Sequence, residues 1–348
     1  MTSLELLEKP PEDWDLKEFP AYRRKQIAEW LFKKRTQDFD SMSNLPSPLI
    51  DQLKQRFDIS PLKLQRVQGS KDTTRKYLYQ LPAGDFIECV LIPASEGLYG
   101  NRSDRHTLCV SSQVGCAYGC KFCASGLEGW KRHLRAAEIV AQVIETERHS
   151  ETKVNNLVFM GMGEPLANFE NLMQAIQIIN AHWGLEIGAR KITISTSGLV
   201  PQIKQLADHP LQTRLAISLH GATDAVRNQI MPVNKKYPLD QLLQACDYYQ
   251  KKKKQKLTFE YILIADVNDR LEDAHHLARL TSQLHAKINL IPYNPVQDLS
   301  WQRPSSDQMR RFTDILKENG CVATLRIEKG KDIDAACGQL RLQELRAQ

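Results

Sequence analysis

The chain has 348 residues, more than one small core needs, so one large domain with appended pieces is expected. Hydrophobic content of 42% and charged content of 25% are ordinary for a soluble globular protein, and no apolar run approaches the roughly 18 residues that span a bilayer. The net charge of +6 permits a polyanionic partner such as RNA without demanding one. The opening stretch, Met1-Thr-Ser-Leu-Glu-Leu-Leu-Glu8, lacks the basic start and apolar core of a signal peptide, so a cytoplasmic location is expected. Thiols are kept reduced there, and eight cysteines then point to metal or redox chemistry more than to a disulfide framework.

Residues 1–65 read as a small helical region. Tyr22 to Arg35 puts Ile27, Trp30, Leu31 and Phe32 at helical spacing, with a basic remaining face that suits solvent or nucleic acid. A second helix is expected over Leu49–Phe57, after the Pro46-Ser-Pro48 break. Residues 66–106 change character: Lys76–Leu81 and Phe86–Ile92 are short strands around Pro82-Ala-Gly-Asp85, a hairpin signal, and a polar loop from Ala94 to His106 follows.

From residue 107 the pattern becomes strand then helix, repeated. Strands are expected at Leu108–Ser111, Asn156–Met160, Lys191–Ser195, Arg214–Leu219, Thr258–Ile264 and Lys287–Pro292. Helices are expected at Ala136–Arg148, Asn171–His182, Pro201–Ala207, Asp240–Lys253, Glu272–Leu284 and Asp307–Glu318, before a last strand at Val322–Ile327. Such alternation means right-handed crossovers and a parallel sheet. Six units are too few for a complete eight-stranded barrel, so the fold class is α/β, a partial (β/α)6 TIM-like barrel with its chemistry at the C-terminal strand ends.

Cys116-Ala-Tyr-Gly-Cys-Lys-Phe-Cys123 follows the first of these strands. Three cysteines spaced C-x3-C-x2-C can wrap one inorganic centre: an iron–sulfur cluster with one open iron, or a zinc ion with a fourth ligand from Cys109 or His133. Further polar loops follow later strands on the same rim, carrying Gly163 and Glu164, Ser195, Ser218 to His220, and Asn294.

These residues resemble the radical S-adenosylmethionine (SAM) superfamily, and within it the RlmN/Cfr-type adenosine methyltransferases of RNA. The resemblance rests on Cys109-Val-Ser-Ser-Gln-Val-Gly-Cys116, Gly161-Met-Gly-Glu-Pro-Leu166, Leu215-Ala-Ile-Ser-Leu-His220, Met231-Pro-Val-Asn-Lys-Lys-Tyr-Pro238 and Asp332-Ile-Asp-Ala-Ala-Cys-Gly-Gln339. It runs from about residue 20 to the end. It implies that Cys116, Cys120 and Cys123 hold a [4Fe–4S] cluster, and that Gly163, Glu164, Ser195, Ser218, Leu219, His220 and Asn294 contact SAM. It implies a methyl-carrying cysteine at Cys337, a resolving thiol at Cys109 that closes a disulfide on it, and a general base at Glu88. Two SAM molecules per turnover are implied, with 23S ribosomal RNA and tRNA as substrates and an electron donor such as flavodoxin or ferredoxin.

Methylation is expected at adenosine C2, with C8 as the alternative within the family and a zinc-stabilised RNA-binding protein as the alternative outside it. A monomer with no membrane partner is expected. Positive charge beside Cys109 is expected from Arg105 and His106. Arg227, Lys235 and Lys236 stand as RNA contacts, and Lys251–Lys254 as a solvated helix end. Cys89, Cys246 and Cys321 read as packing residues.

Overall fold

A computed structural model of the chain describes residues 3–94, 104–127, 129–295 and 299–326. Its framework is a ten-stranded sheet. The first three strands, β1 (Lys63–Gly69), β2 (Arg75–Gln80) and β3 (Phe86–Pro93), run antiparallel, and β3 passes the register on to β4 (His106–Cys109). A separate ribbon of β5 (Gln113–Gly115) and β6 (Trp130–His133) brackets the cysteine loop. Beyond β4 the sheet is parallel and in chain order: β7 (Asn156–Phe159), β8 (Ile192–Thr196), β9 (Arg214–Ser218), β10 (Thr258–Leu263), β11 (Lys287–Pro292) and β12 (Val322–Leu325). Among the described residues β1 and β12 are its two edges, so the barrel is partial, as expected.

Three helices precede the sheet, α1 (Glu5–Glu8), α2 (Ala21–Phe32) and α3 (Ser47–Arg56). The crossovers are α4 (Ala136–Ser150), α5 (Phe169–Asn180), α6 (Val200–Asp208), the pair α7 (Asp224–Ile230) and α8 (Leu239–Lys253), α9 (Leu271–Leu284), and α10 (Ser306–Glu318). Each expected strand and helix of the repeat is present. The sequence reading missed β1, the β5–β6 ribbon and α7. β1 is exposed or half-exposed at every position, so it shows no alternation, and only its pairing with β2 makes it a strand.

Register decides which side chains face the lumen. Lys76 pairs with Val90, Val90 with Cys109, and Cys109 with Val158, and directly paired residues share a face. Alternation along the strands puts Glu88, Ser195, Ser218, Glu260 and Asn289 on that same inner face. The opposite face carries Tyr77, Tyr79, Leu108, Leu157, Ile194 and Ile217, all in one core with the helices. The lumen is therefore lined with polar groups, while the helix side is dry.

The N-terminal helices share that core through Leu6, Leu7, Ile27, Leu31, Phe32, Leu49 and Leu53. Several of their basic residues clamp them to the barrel: Arg35 pairs with Glu147 at 2.6 Å, and Lys33 reaches Glu186 and the His182 carbonyl. That part of the basic face, expected to meet solvent or RNA, is paired within the protein, Arg35 half-buried and Lys33 still exposed. Lys253 differs from expectation in the same way. It is buried, and its ammonium donates to the carbonyls of His209 and Leu211, while Lys251, Lys252 and Lys254 are exposed.

Candidate active site

The cysteine loop is held at both ends. The Cys116 N–H donates to the Gly129 carbonyl at 3.1 Å, and the Lys121 N–H to the Ile230 carbonyl at 2.9 Å. Gly115 sits at φ +75°, where a Cβ would lie 2.0 Å from the Gly129 oxygen, so only glycine lets the ribbon close under the loop. Burial, then the nearness of Cys123 and Glu164, pushes the Cys116 thiol up to about 12, and burial pushes Cys120 well above its ordinary value. Thiols so disfavoured as bare thiolates suit a cationic centre that stabilises the deprotonated form. Among the described residues no three His, Cys, Asp or Glu side chains gather tightly enough for a single ion. Three cysteine thiols carried on one short loop are a donor set that suits an iron–sulfur cluster with one open iron.

Around the loop the strand ends are tied by buried polar groups. Gly161 approaches the Val110 carbonyl so closely that a Cβ would be 2.6 Å away, and Gly163 takes φ +97° against the Gln113 side chain. The Glu164 N–H donates to Gln113 Oε1 at 2.7 Å; its own carboxylate accepts from the Ser197 and Leu166 N–H groups at 2.7 and 3.1 Å. Burial raises the Glu164 carboxyl above its usual range, and those N–H groups oppose the shift. Each oxygen keeps lone-pair capacity for an ammonium group. Ser195 and Ser218 meet in the lumen, their hydroxyls 3.3 Å apart. Asn294 follows β11 on the same rim and is half-buried.

His220 is buried at φ +55°, and its Nδ1 accepts the Ile262 N–H at 3.0 Å. Burial and the nearby Arg227 push its pKa down to about 3, so the ring is neutral and its hydrogen is on Nε2. That ring meets Phe122 of the cysteine loop edge-on, with centroids 4.7 Å apart. Leu219 departs from expectation: its side chain belongs to the dry core, and only its backbone reaches the rim.

Glu88 and Cys109 share the lumen face of adjacent strands, as their proposed roles require, and both are buried. Glu88 is not alone. Its carboxylate is 2.9 Å from the ammonium of Lys76, a residue with no exposed side-chain surface. His106 lies on the other face from Cys109, because the two are three residues apart in one strand, so it does not supply the positive charge expected there. Cys337 lies outside the described residues.

Comparison with known proteins decides the class. The Radical SAM superfamily profile matches residues 110–278, and the ribosomal RNA large subunit methyltransferase N-terminal domain matches residues 14–59. A probable dual-specificity RNA methyltransferase RlmN from Akkermansia muciniphila is 54% identical over 93% of this chain and 90% of its own length. The chain belongs to the RlmN family. Its RlmN relative from Geobacillus thermodenitrificans is 47% identical over 93% of the chain and 87% of its own length. The crystal structure of a radical SAM methyltransferase from Sphaerobacter thermophilus superposes with a TM-score of 0.89 at 42% identity, covering 94% of this chain and 95% of that one. As an RlmN-family radical SAM methyltransferase, the enzyme works with a [4Fe–4S] cluster and SAM, and the zinc alternative falls away.

Two groups of this RlmN-family site escape sequence reading. Arg227 is wholly buried rather than offered to RNA: its guanidinium donates to the Leu219 carbonyl at 3.0 Å, to Asn234 Oδ1 at 2.7 Å and to the Ser197 carbonyl. Lys235 and Lys236 beside it are exposed, as expected of RNA contacts. Lys76 was read only as part of a strand, although its phase relative to Glu88 follows from the hairpin register and was the one available signal.

Proposed function

We propose that the enzyme methylates C2 of an adenosine in 23S ribosomal RNA and of an adenosine beside the tRNA anticodon. The observation that carries this is the placement of Glu88 and Cys109 on the same lumen face of adjacent strands, Glu88 two residues from Val90, the cross-strand partner of Cys109, below the rim that holds the three-cysteine loop. A radical source alone needs neither a second thiol nor a buried carboxylate. Both are needed when a methyl group is built on an electron-poor adenine carbon through a protein sulfur. Two RNA substrates accord with the dual-specificity name of the relatives.

In this reading Cys116, Cys120 and Cys123 hold the cluster, and Gly163, Glu164, Ser195, Ser218, the Leu219 backbone, His220 and Asn294 orient SAM. Together the bound groups supply a carbon radical, which no side chain can make. Cys337 carries the methyl carbon, a role that would call for two SAM molecules per turnover, one as methyl donor and one as radical source. Once its sulfur is joined through that carbon to the adenine, Glu88 takes the ring proton. Cys109 attacks the Cys337 sulfur, and the S–S bond forms as the S–C bond breaks. The freed methylene carbon keeps that electron pair and takes up a proton, the single electron that began the radical step would be handed back to the redox group that supplied it, and the methylated base is released.

Residues 1–65 act as an RNA-contact region, 66–106 carry the base, and 107–348 form the radical barrel with its tail. An electron donor such as flavodoxin or ferredoxin serves a monomeric, cytoplasmic enzyme. Support for the donor is a cleft beside Cys120 and Cys123, lined also by Lys121, Leu127 and Trp301, through which the loop is open to the surface.

The test is anaerobic reconstitution followed by reaction with 23S RNA fragments and tRNA, digestion to nucleosides and mass spectrometry. 2-Methyladenosine is expected from both RNAs, and Cys120→Ala is expected to hold no intact cluster and form no product. 8-Methyladenosine as the product, or normal methylation by Cys120→Ala, overturns the reading.

A further inference from the structure

The Lys76–Glu88 pair is sealed in the lumen, with 0% and 2% of the two side chains exposed and 2.9 Å between charges. A buried ion pair adds little net stability compared with an apolar pair of the same size. Cohesion of the hairpin is already supplied from its other face, where Tyr77, Tyr79, Ile87, Cys89 and Leu91 enter the main core. The pair instead stands on the reacting side of the sheet: Lys76 is in the same cross-strand row as Cys109, through Val90, and Glu88 lies two residues along from Val90 on the same face. Two strand spacings put Lys76 about 10 Å from that thiol's strand.

We propose that Lys76 is a positioning residue whose buried ion pair holds the Glu88 carboxylate in place in the lumen, so that it is ready to take the proton of the RNA adduct. This rests on the reading of Glu88 as the base. A carboxylate enclosed this fully is driven toward its protonated form unless a cation stands beside it, and a protonated carboxyl cannot act as a base. Lys76 supplies that cation without giving up a proton. The adduct's ring proton ends on a Glu88 oxygen, the electron pair of the broken C–H bond stays in the ring, and the ammonium is unchanged.

The test follows the covalent RNA–protein adduct on denaturing gels from pH 6 to 9, with 5′-deoxyadenosine measured as the readout of the radical step, in reconstituted full-length Lys76→Met, Lys76→Arg and Glu88→Gln. Lys76→Met is expected to form 5′-deoxyadenosine normally, to resolve the adduct at least about tenfold more slowly at pH 7, and to recover as the pH is raised. Lys76→Arg is expected to restore the wild-type pH profile. Where Met is not tolerated in folding, Lys76→Gln gives the same comparison. A neutral variant that resolves the adduct with the wild-type profile, while Glu88→Gln traps it, overturns the role of Lys76 and leaves the base in place. Normal resolution by Glu88→Gln overturns the base itself and the inference with it.

Discussion

At the scale of single residues, the rim depends on cations that do not face solvent. Arg227 spans the ends of β8 and β9, holding the carbonyls of Ser197 and Leu219 while Asn234 fixes its outer edge. Burial lowers its pKa to about 10, and the neighbouring Cys120 is the largest attraction opposing that shift. Arg227→Met removes all these donors; the Leu219 carbonyl keeps the Gly221 N–H, while Asn234 Oδ1 and the Ser197 carbonyl lose the guanidinium, each worth roughly 1–3 kcal/mol. A loss of about 3 kcal/mol or more in urea unfolding of the apoprotein is expected, and a loss below 1 kcal/mol contradicts this account. From sequence the residue looked like an RNA contact, because it follows a barrel strand near the rim. Its side chain turns inward only because α7 is docked beneath that rim, and α7 itself was invisible to the pattern.

At the scale of elements, the loops work because two glycines admit a close neighbour, Gly161 the backbone of Val110 and Gly163 the side chain of Gln113. Gly163 is the sharper case. Its φ of +97° disfavours any side chain, and a Cβ there would come within 2.5 Å of Gln113, whose amide oxygen holds the Glu164 N–H. Gly163→Ala is expected to cost about 1–3 kcal/mol and to displace Glu164. Isothermal titration of the reconstituted protein should therefore show SAM binding at least severalfold weaker, and unchanged affinity would remove Gly163 and Glu164 from the binding site. The repeat of strand and helix could be read from the sequence because each element's period is local. β1 and the β5–β6 ribbon could not. β1 is exposed or half-exposed at every position and shows no apolar alternation, and β5 and β6 are only three and four residues long.

At the scale of the whole molecule, a buried neutral histidine couples folding to pH. The folded value of His220, about 3, lies below its ordinary 6.5, so between those values the unfolded chain binds a proton that the folded one does not. Stability from this group is full above about pH 6.5 and is lost as the pH falls toward 3, by at most roughly 1.4 kcal/mol per pH unit. Urea unfolding of the apoprotein at pH 7, 6, 5 and 4 should show this fall, and His220→Gln should show a shallower one. Equal slopes would mean that other groups carry the dependence. Helices α1 to α3 bury their leucines in the same cluster as the barrel helices, so they are expected to unfold together with the barrel.

The sequence by itself determined the class of fold, the three-cysteine loop and the family, because hydrophobic period and ligand spacing are local properties of the chain. It also carried the chemical identities of Glu88 and Cys109. Only the tertiary structure decided what stands beside them. Lys76 meets Glu88 through strand register, Arg227 turns under the rim through the docking of α7, and His106 is removed from Cys109 by the pleat. Each is a matter of which face a side chain takes once distant segments have paired, and composition and spacing hold no record of that.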